Sequence, residues 1–149
     1  MMAHELLRQA ALILAAGHSK GANARDATGR IIPLYVGATR ATINPAAVAF
    51  SPYGAICKAA ADTRSQLPRV MWDTLAELAS KRGRGVTHPL RYINEAEDVT
   101  SAEVIALLNE AADMIDPANT EPRTARASNR ATKSAQERGD NAGPGARPD

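Results

Sequence analysis

Gly17-His18-Ser19-Lys20-Gly21 fits G-x-S-x-G, the pattern in which a sharp strand-to-helix turn lifts a nucleophilic serine above a sheet for acyl transfer. That chemistry needs several parallel strands built before the serine, and only 16 residues precede Gly17. The acid and base would have to follow in the chain, yet the only later histidine is His88. The match reads as chance, with Ser19 in a polar loop after a helix. The loop is not a Walker A phosphate cradle either, because Lys20 precedes Gly21 instead of following it. Cys57 falls on the apolar face of an expected helix, where a thiol is a small hydrophobe and not an activated nucleophile. His4, His18 and His88 stand apart, with no H-x-x-x-H spacing and one cysteine to join them. No catalytic residue, cofactor or metal site is assigned, and the balance is against an enzyme.

The residues that could bind are basic. Lys81, Arg82 and Arg84, with His88 and Arg91 beyond them, form a patch around a loop. Cations at a helix C-terminus complement its dipole by about 0.3–1 kcal/mol each, and the sharper use of the same patch is phosphate contact. Near the C-terminus Arg123, Arg126, Arg130 and Lys133 step by three, four and three, so a partner that induced a helix would align them. The other face of that helix would be Ala, Ser, Asn and Thr, without aromatics to stack bases or apolar surface for a bilayer. Four such contacts give weak, salt-sensitive, sequence-blind nucleic-acid binding.

The elements that must position these groups are mostly helices. Leu6, Leu7, Ala10, Ala11 and Leu14 repeat at helical spacing over residues 3–16, with Gly17 expected as a left-handed cap. Asp26-Ala27-Thr28-Gly29 has the residues of a type I turn and predicts a hairpin near 22–32, with arms 22–25 and 30–32. Tyr35-Val36 and Ala41-Thr42-Ile43 are candidates for an edge strand in a stretch that Pro33, Gly37 and Asn44-Pro45 interrupt. Asn44-Pro45 reads as an N-cap opening a short helical turn that ends near Phe50, and Ser51-Pro52 opens a helix to about Asp62. A third helix follows Pro68, with Val70, Met71, Leu75, Leu78 and Ala79 inward and Gly83 beyond its end. Thr100-Ser101-Ala102-Glu103 is a capping box for a last helix reaching Ile115.

Composition sets the class. The chain has 149 residues, 31 of them alanine, whereas Leu, Ile, Val and Phe number 26 and all lie before Pro117. Residues 1–116 are therefore expected to fold as one mainly α domain of about four helices with one short hairpin. Residues 117–149 contain none of those four residue types, and are expected to form a disordered tail. Lys and Arg match Asp and Glu at 12 each in the body, so the net charge of +2 comes from the tail. No apolar run approaches the roughly 20 residues of a membrane span. The start MMAHELLRQ lacks a basic segment before an apolar one, and the lone cysteine fits a reducing cytoplasm.

Gly21-Ala-Asn-Ala-Arg25-Asp26-Ala-Thr-Gly29-Arg30, together with Ile93-Asn94-Glu95 ahead of Thr100-x-x-Glu103-Val104-Ile105-x-Leu107-Leu108, resembles an uncharacterised family of bacterial and bacteriophage proteins. Its pattern has a G-x-x-A-R-D-x-x-G-R hairpin and a W-N-D segment before the final helix, and Tyr53-Gly54-Ala55-Ile56 is similar to a helix between them. This chain departs from it at Ile93 and Glu95, where the family has tryptophan and aspartate. The family has no established activity, so the resemblance implies fold boundaries and no mechanism. It picks out Arg25, Asp26, Arg30, Asn94 and Glu95 as a candidate interaction site, against the alternative that they tie hairpin to helix. The sequence points to a small accessory module that binds a protein partner, with weak nucleic-acid binding as the second reading.

Overall fold

The computed structural model describes residues 1–37, 41–82 and 99–119. Two compact units divide the chain, residues 1–116 and 117–149, and the second is described only at 117–119. Asn94 and Glu95 of the candidate site, Arg84, Arg126, Arg130 and Lys133 of the basic groups, and the expected disordered tail beyond Asn119 lie outside the described residues.

Four helices and a small antiparallel sheet build the described part of residues 1–116: α1 (Ala3–Ala16), β1 (Ala24–Arg25), β2 (Ala49–Phe50), α2 (Pro52–Thr63), α3 (Arg69–Lys81) and α4 (Ser101–Ile115). This is the mainly helical domain with one hairpin that the sequence predicts. α1 packs on α2 and α4, and α3 packs chiefly on α4. Leu6, Leu7, Leu14, Ile56, Met71, Leu75, Val104, Leu107 and Leu108 form the large side chains of the core. Alanines at 10, 11, 55, 59, 60, 79, 111 and 112 fill the spaces between them. A core built from few large and many small side chains brings helix axes close, so its stability rests on tight contact. Arg8 fixes the α1–α4 pairing at the surface, with Nη1 2.9 Å from Asp113 Oδ1 and Nη2 2.8 Å from Asp116 Oδ2. Tyr53 and Trp72 stack across α2 and α3, ring centroids 5.8 Å apart.

The N-caps of α2 and α4 follow the sequence signals. Ser51 Oγ accepts from Gly54 N–H at 3.0 Å and starts α2 at Pro52. Thr100 and Glu103 satisfy each other's backbone donors at the start of α4. Glu5 reaches back to the Met2 N–H at 2.8 Å at the start of α1.

Three expectations are corrected. Gly17 ends α1 in an extended conformation, not a left-handed one. A Cβ there would lie 2.2 Å from the Val48 carbonyl oxygen, so close approach of two backbones, and not φ, requires glycine. The helical turn expected up to Phe50 stops at Ala47, where N–H donates to Asn44 C=O at 3.0 Å, and Ala49–Phe50 is β2. Phe50 bonds to Gly17 and Ser19 on one side while Val48 and Ser51 bond to Arg25 and Asn23 on the other, partners that a helical turn would forgo. Val70 is half exposed, and Thr74 takes the inward place instead, its hydroxyl donating to Val70 C=O at 2.8 Å.

Candidate interaction site

The hairpin is the centre of a ribbon of short extended stretches. Asp26 N–H donates to Arg30 C=O at 3.0 Å and Gly29 N–H to Asp26 C=O at 3.0 Å, closing the turn. Gly29 has φ 84°, the left-handed conformation that glycine adopts without a steric penalty. Arg25 then bridges Ile31 on one side, while β1 pairs antiparallel with β2 on the other, Ala24 opposite Phe50 and Arg25 opposite Ala49. Beyond β2, Ser19 N–H donates to Phe50 C=O and Phe50 N–H to Gly17 C=O, both at 2.9 Å. Side chains alternate across a sheet, so Ala24 and Phe50 turn into the core, where both are buried, and Arg25, Ile31 and Ala49 share the outer face.

On that face Arg25 is a strut. Its Nε donates to Ser19 Oγ at 3.0 Å, Nη1 to Gly29 C=O at 2.9 Å and Nη2 to Lys20 C=O at 3.0 Å. The described acceptors are therefore a hydroxyl and two carbonyls. Ser19 in turn donates to Ala22 C=O at 3.0 Å and is 2% exposed. Its hydroxyl is a buried joint of the loop, with no access for a substrate.

Asp26 builds the turn itself. Oδ1 accepts from Thr28 Oγ1 at 2.6 Å, Thr28 N–H at 2.9 Å and Arg30 N–H at 3.0 Å. These bonds, the Thr28 hydroxyl first and the backbone donors next, hold its carboxyl below the ordinary value of 3.8. Arg30 and Ile31 are left pointing outward, Ile31 at 64% exposure. The structure thus brings Arg25, Asp26 and Arg30 into one hairpin and gives the first two internal work.

Among the basic residues, Lys81 Nζ lies 3.1 Å from Glu77 Oε1 one turn back on α3, and Arg82 pairs with Glu110 of α4. Both cations have carboxylate partners within the fold.

Two arrangements escape sequence reasoning. His18 Nδ1 and Ser101 Oγ lie 2.7 Å apart although 83 positions separate them, linking the loop after α1 to the first turn of α4. A cleft of about 600 Å³ opens beside α2, lined by residues that include Tyr35, Cys57, Arg64 and Leu67. No periodicity or motif joins these residues; only the docking of 34–36 against α2 does. Among the described residues no three His, Cys, Asp or Glu side chains cluster to hold a metal, and no helix is long and apolar enough to cross a membrane.

No curated protein and no solved structure matches this chain. The helices and hairpin described above fall within residues 2–114 but for the last residue of α4, and over that span the chain matches the family model of DUF6197, a family of unknown function, to which it belongs.

Proposed function

We propose that the domain is a small binding module that docks a protein partner through the exposed surface of its hairpin, with Arg30 and Ile31 as the contact residues. The observation that carries this reading is the division of labour in the hairpin. Arg25 and Asp26 together make six hydrogen bonds within the loop, and the adjoining large apolar side chain, Ile31, is 64% exposed. A braced scaffold that holds an apolar side chain beside a cation loses little entropy on docking, and such a pair suits the centre of a protein interface. Val36 and Val48, also about half exposed, belong to the same region between α1 and α2. The single cysteine and the resemblance to bacterial and phage proteins support a reducing cytoplasm as the setting.

Nucleic-acid binding has less support, since Lys81 and Arg82 already face Glu77 and Glu110. Replacing Ile31 by a photo-crosslinking amino acid in the native host tests the proposal, with Leu12 of α1, 66% exposed, as control. A discrete protein adduct from position 31 and none from position 12 is expected. Equal adducts at both positions, or adducts to nucleic acid alone, would contradict it.

A further inference from the structure

The stretch that carries Arg30 and Ile31 is an open edge. Asp26 N–H donates to Arg30 C=O and Ile32 N–H to Ala24 C=O, so these groups are turned toward β1. In an antiparallel ladder the residue between two such bonds turns its own N–H and C=O the other way. Neither group of Ile31 has a hydrogen bond among the described residues. Pro33 ends the edge, because it has no N–H and its C=O accepts from Asn44 Nδ2 at 3.1 Å. Arg30 and Ile31 are both exposed, and neighbours on an extended stretch point to opposite sides, so a partner meets both only by lying along the edge. Charge sets this edge apart as well. Arg8, Arg69 and Arg82 each pair with a carboxylate, as do Lys58 and Lys81. Three described arginines, Arg25, Arg30 and Arg64, pair with none among the described residues, and two of them stand on the hairpin. Residues 22–32 hold those two arginines against one aspartate.

Given the hairpin as the docking surface, a reading on which this rests, we infer that its partner is an extended acidic peptide segment added to this edge as a further strand. The backbone of that segment exchanges hydrogen bonds with Ile31, an Asp or Glu side chain pairs with Arg30 on one side of the ribbon, and an apolar side chain packs on Ile31 on the other. Two backbone bonds are a modest gain, and the side chains at 30 and 31 supply the rest together with the specificity. The guanidinium fork matches a carboxylate in geometry and in charge. A cation and a proline on an edge also keep it from pairing with its own kind. Two copies set edge to edge would bring their Arg30 charges into one interface, whereas an acidic strand neutralises the charge. A nucleic-acid backbone would satisfy Arg30 and make no use of Ile31 or of its open N–H and C=O.

The test selects binders from a random peptide library displayed on phage, with the full chain as bait, and measures the selected sequences as free synthetic peptides. Sequences that combine Asp or Glu with apolar residues are expected to be enriched, to protect the Ile31 amide from solvent exchange in NMR spectra of the complex, and to lose binding to Ile31→Asp. In a double-mutant cycle, replacing the peptide's acid by its amide weakens binding to the native chain about tenfold, the loss of one charge-assisted hydrogen bond, and changes binding to Arg30→Gln by less than about twofold. Three results would overturn the inference and leave the docking surface standing: peptides that need Ile31 yet carry no acid, an acid-to-amide change that costs as much against Arg30→Gln, or an Ile31 amide that exchanges as before. A library that yields no peptide dependent on Ile31, or a DNA duplex that displaces the selected peptides at physiological salt, would overturn both.

Discussion

Arg25 carries a full charge, yet its described acceptors are neutral oxygens drawn from three points of one loop, Ser19, Lys20 and Gly29. Only a planar fork with several fixed donors can span them, because a lysine ammonium presents its donors from a single atom. Arg25→Lys is therefore expected to cost about 2 kcal/mol, taking about 1.5–3 kcal/mol for a hydrogen bond to a charged group and allowing for partial exposure. Chemical denaturation measures it. Arg30→Lys, where the side chain is exposed and outside the turn's network, is expected to change stability by less than about 0.5 kcal/mol. Asp26 gives a prediction in pH. Its folded carboxyl titrates below 3.8, so the unfolded chain takes up the proton first and stability falls as pH drops from 3.8 through the lower, folded value. The stabilising contribution is complete above that window. Thermal melts of Asp26→Asn against the native chain should show a difference that is constant at neutral pH and shrinks within the window; a difference independent of pH would mean that the three hydrogen bonds do not favour the charged form.

At the scale of elements, the hairpin and α2 meet through a contact that reverses an ordinary rule. Glycine inside a helix costs about 1 kcal/mol relative to alanine, so Gly→Ala usually stabilises. At Gly54 an added Cβ would lie 2.3 Å from the Asn23 carbonyl oxygen, which also accepts Ser51 N–H at 3.2 Å, while Asn23 Oδ1 accepts the Ser51 hydroxyl at 2.8 Å. Gly54→Ala must break this seam and is expected to destabilise by about 1–3 kcal/mol, read from the denaturation midpoint. A stabilised variant would show that the seam yields freely. The helices were legible because each carries a local signature: Ser51-Pro52, the Thr100–Glu103 box and the apolar stripes need no distant partner. The turn at Asp26–Gly29 was legible for the same reason. β2 was not, since Ala49 and Phe50 are extended only because Ala24, Arg25 and Gly17 lie beside them, and at the level of local signals Asn44-Pro45 points toward a helical turn. Of the hairpin's candidate residues, the family resemblance picks out Arg25, Asp26 and Arg30 and passes over Ile31. That Arg25 and Asp26 serve the loop while Arg30 and Ile31 face outward is a fact of pairing register, and the cleft beside α2 is a fact of tertiary docking, which no residue spacing encodes.

For the molecule as a whole, every Leu, Ile, Val and Phe lies before Pro117, so the apolar surface that offsets chain entropy belongs to residues 1–116. Ending the chain after Asp116 is expected to leave the melting temperature unchanged within a degree or so, and a fall of several degrees would mean that residues 117–149 contribute to the fold. The family to which the chain belongs assigns it no activity, and the case for binding rests on a rigid hairpin that exposes what it does not need for itself. That case separates stability from recognition at neighbouring positions. The most direct measurement captures partners from the native host on the full chain and on an Arg30→Glu, Ile31→Asp double variant, with melting curves of both baits. A double variant that melts like the native chain and loses a protein the native chain retains is the predicted result; a variant that melts alike and retains the same proteins would place recognition elsewhere and contradict the account.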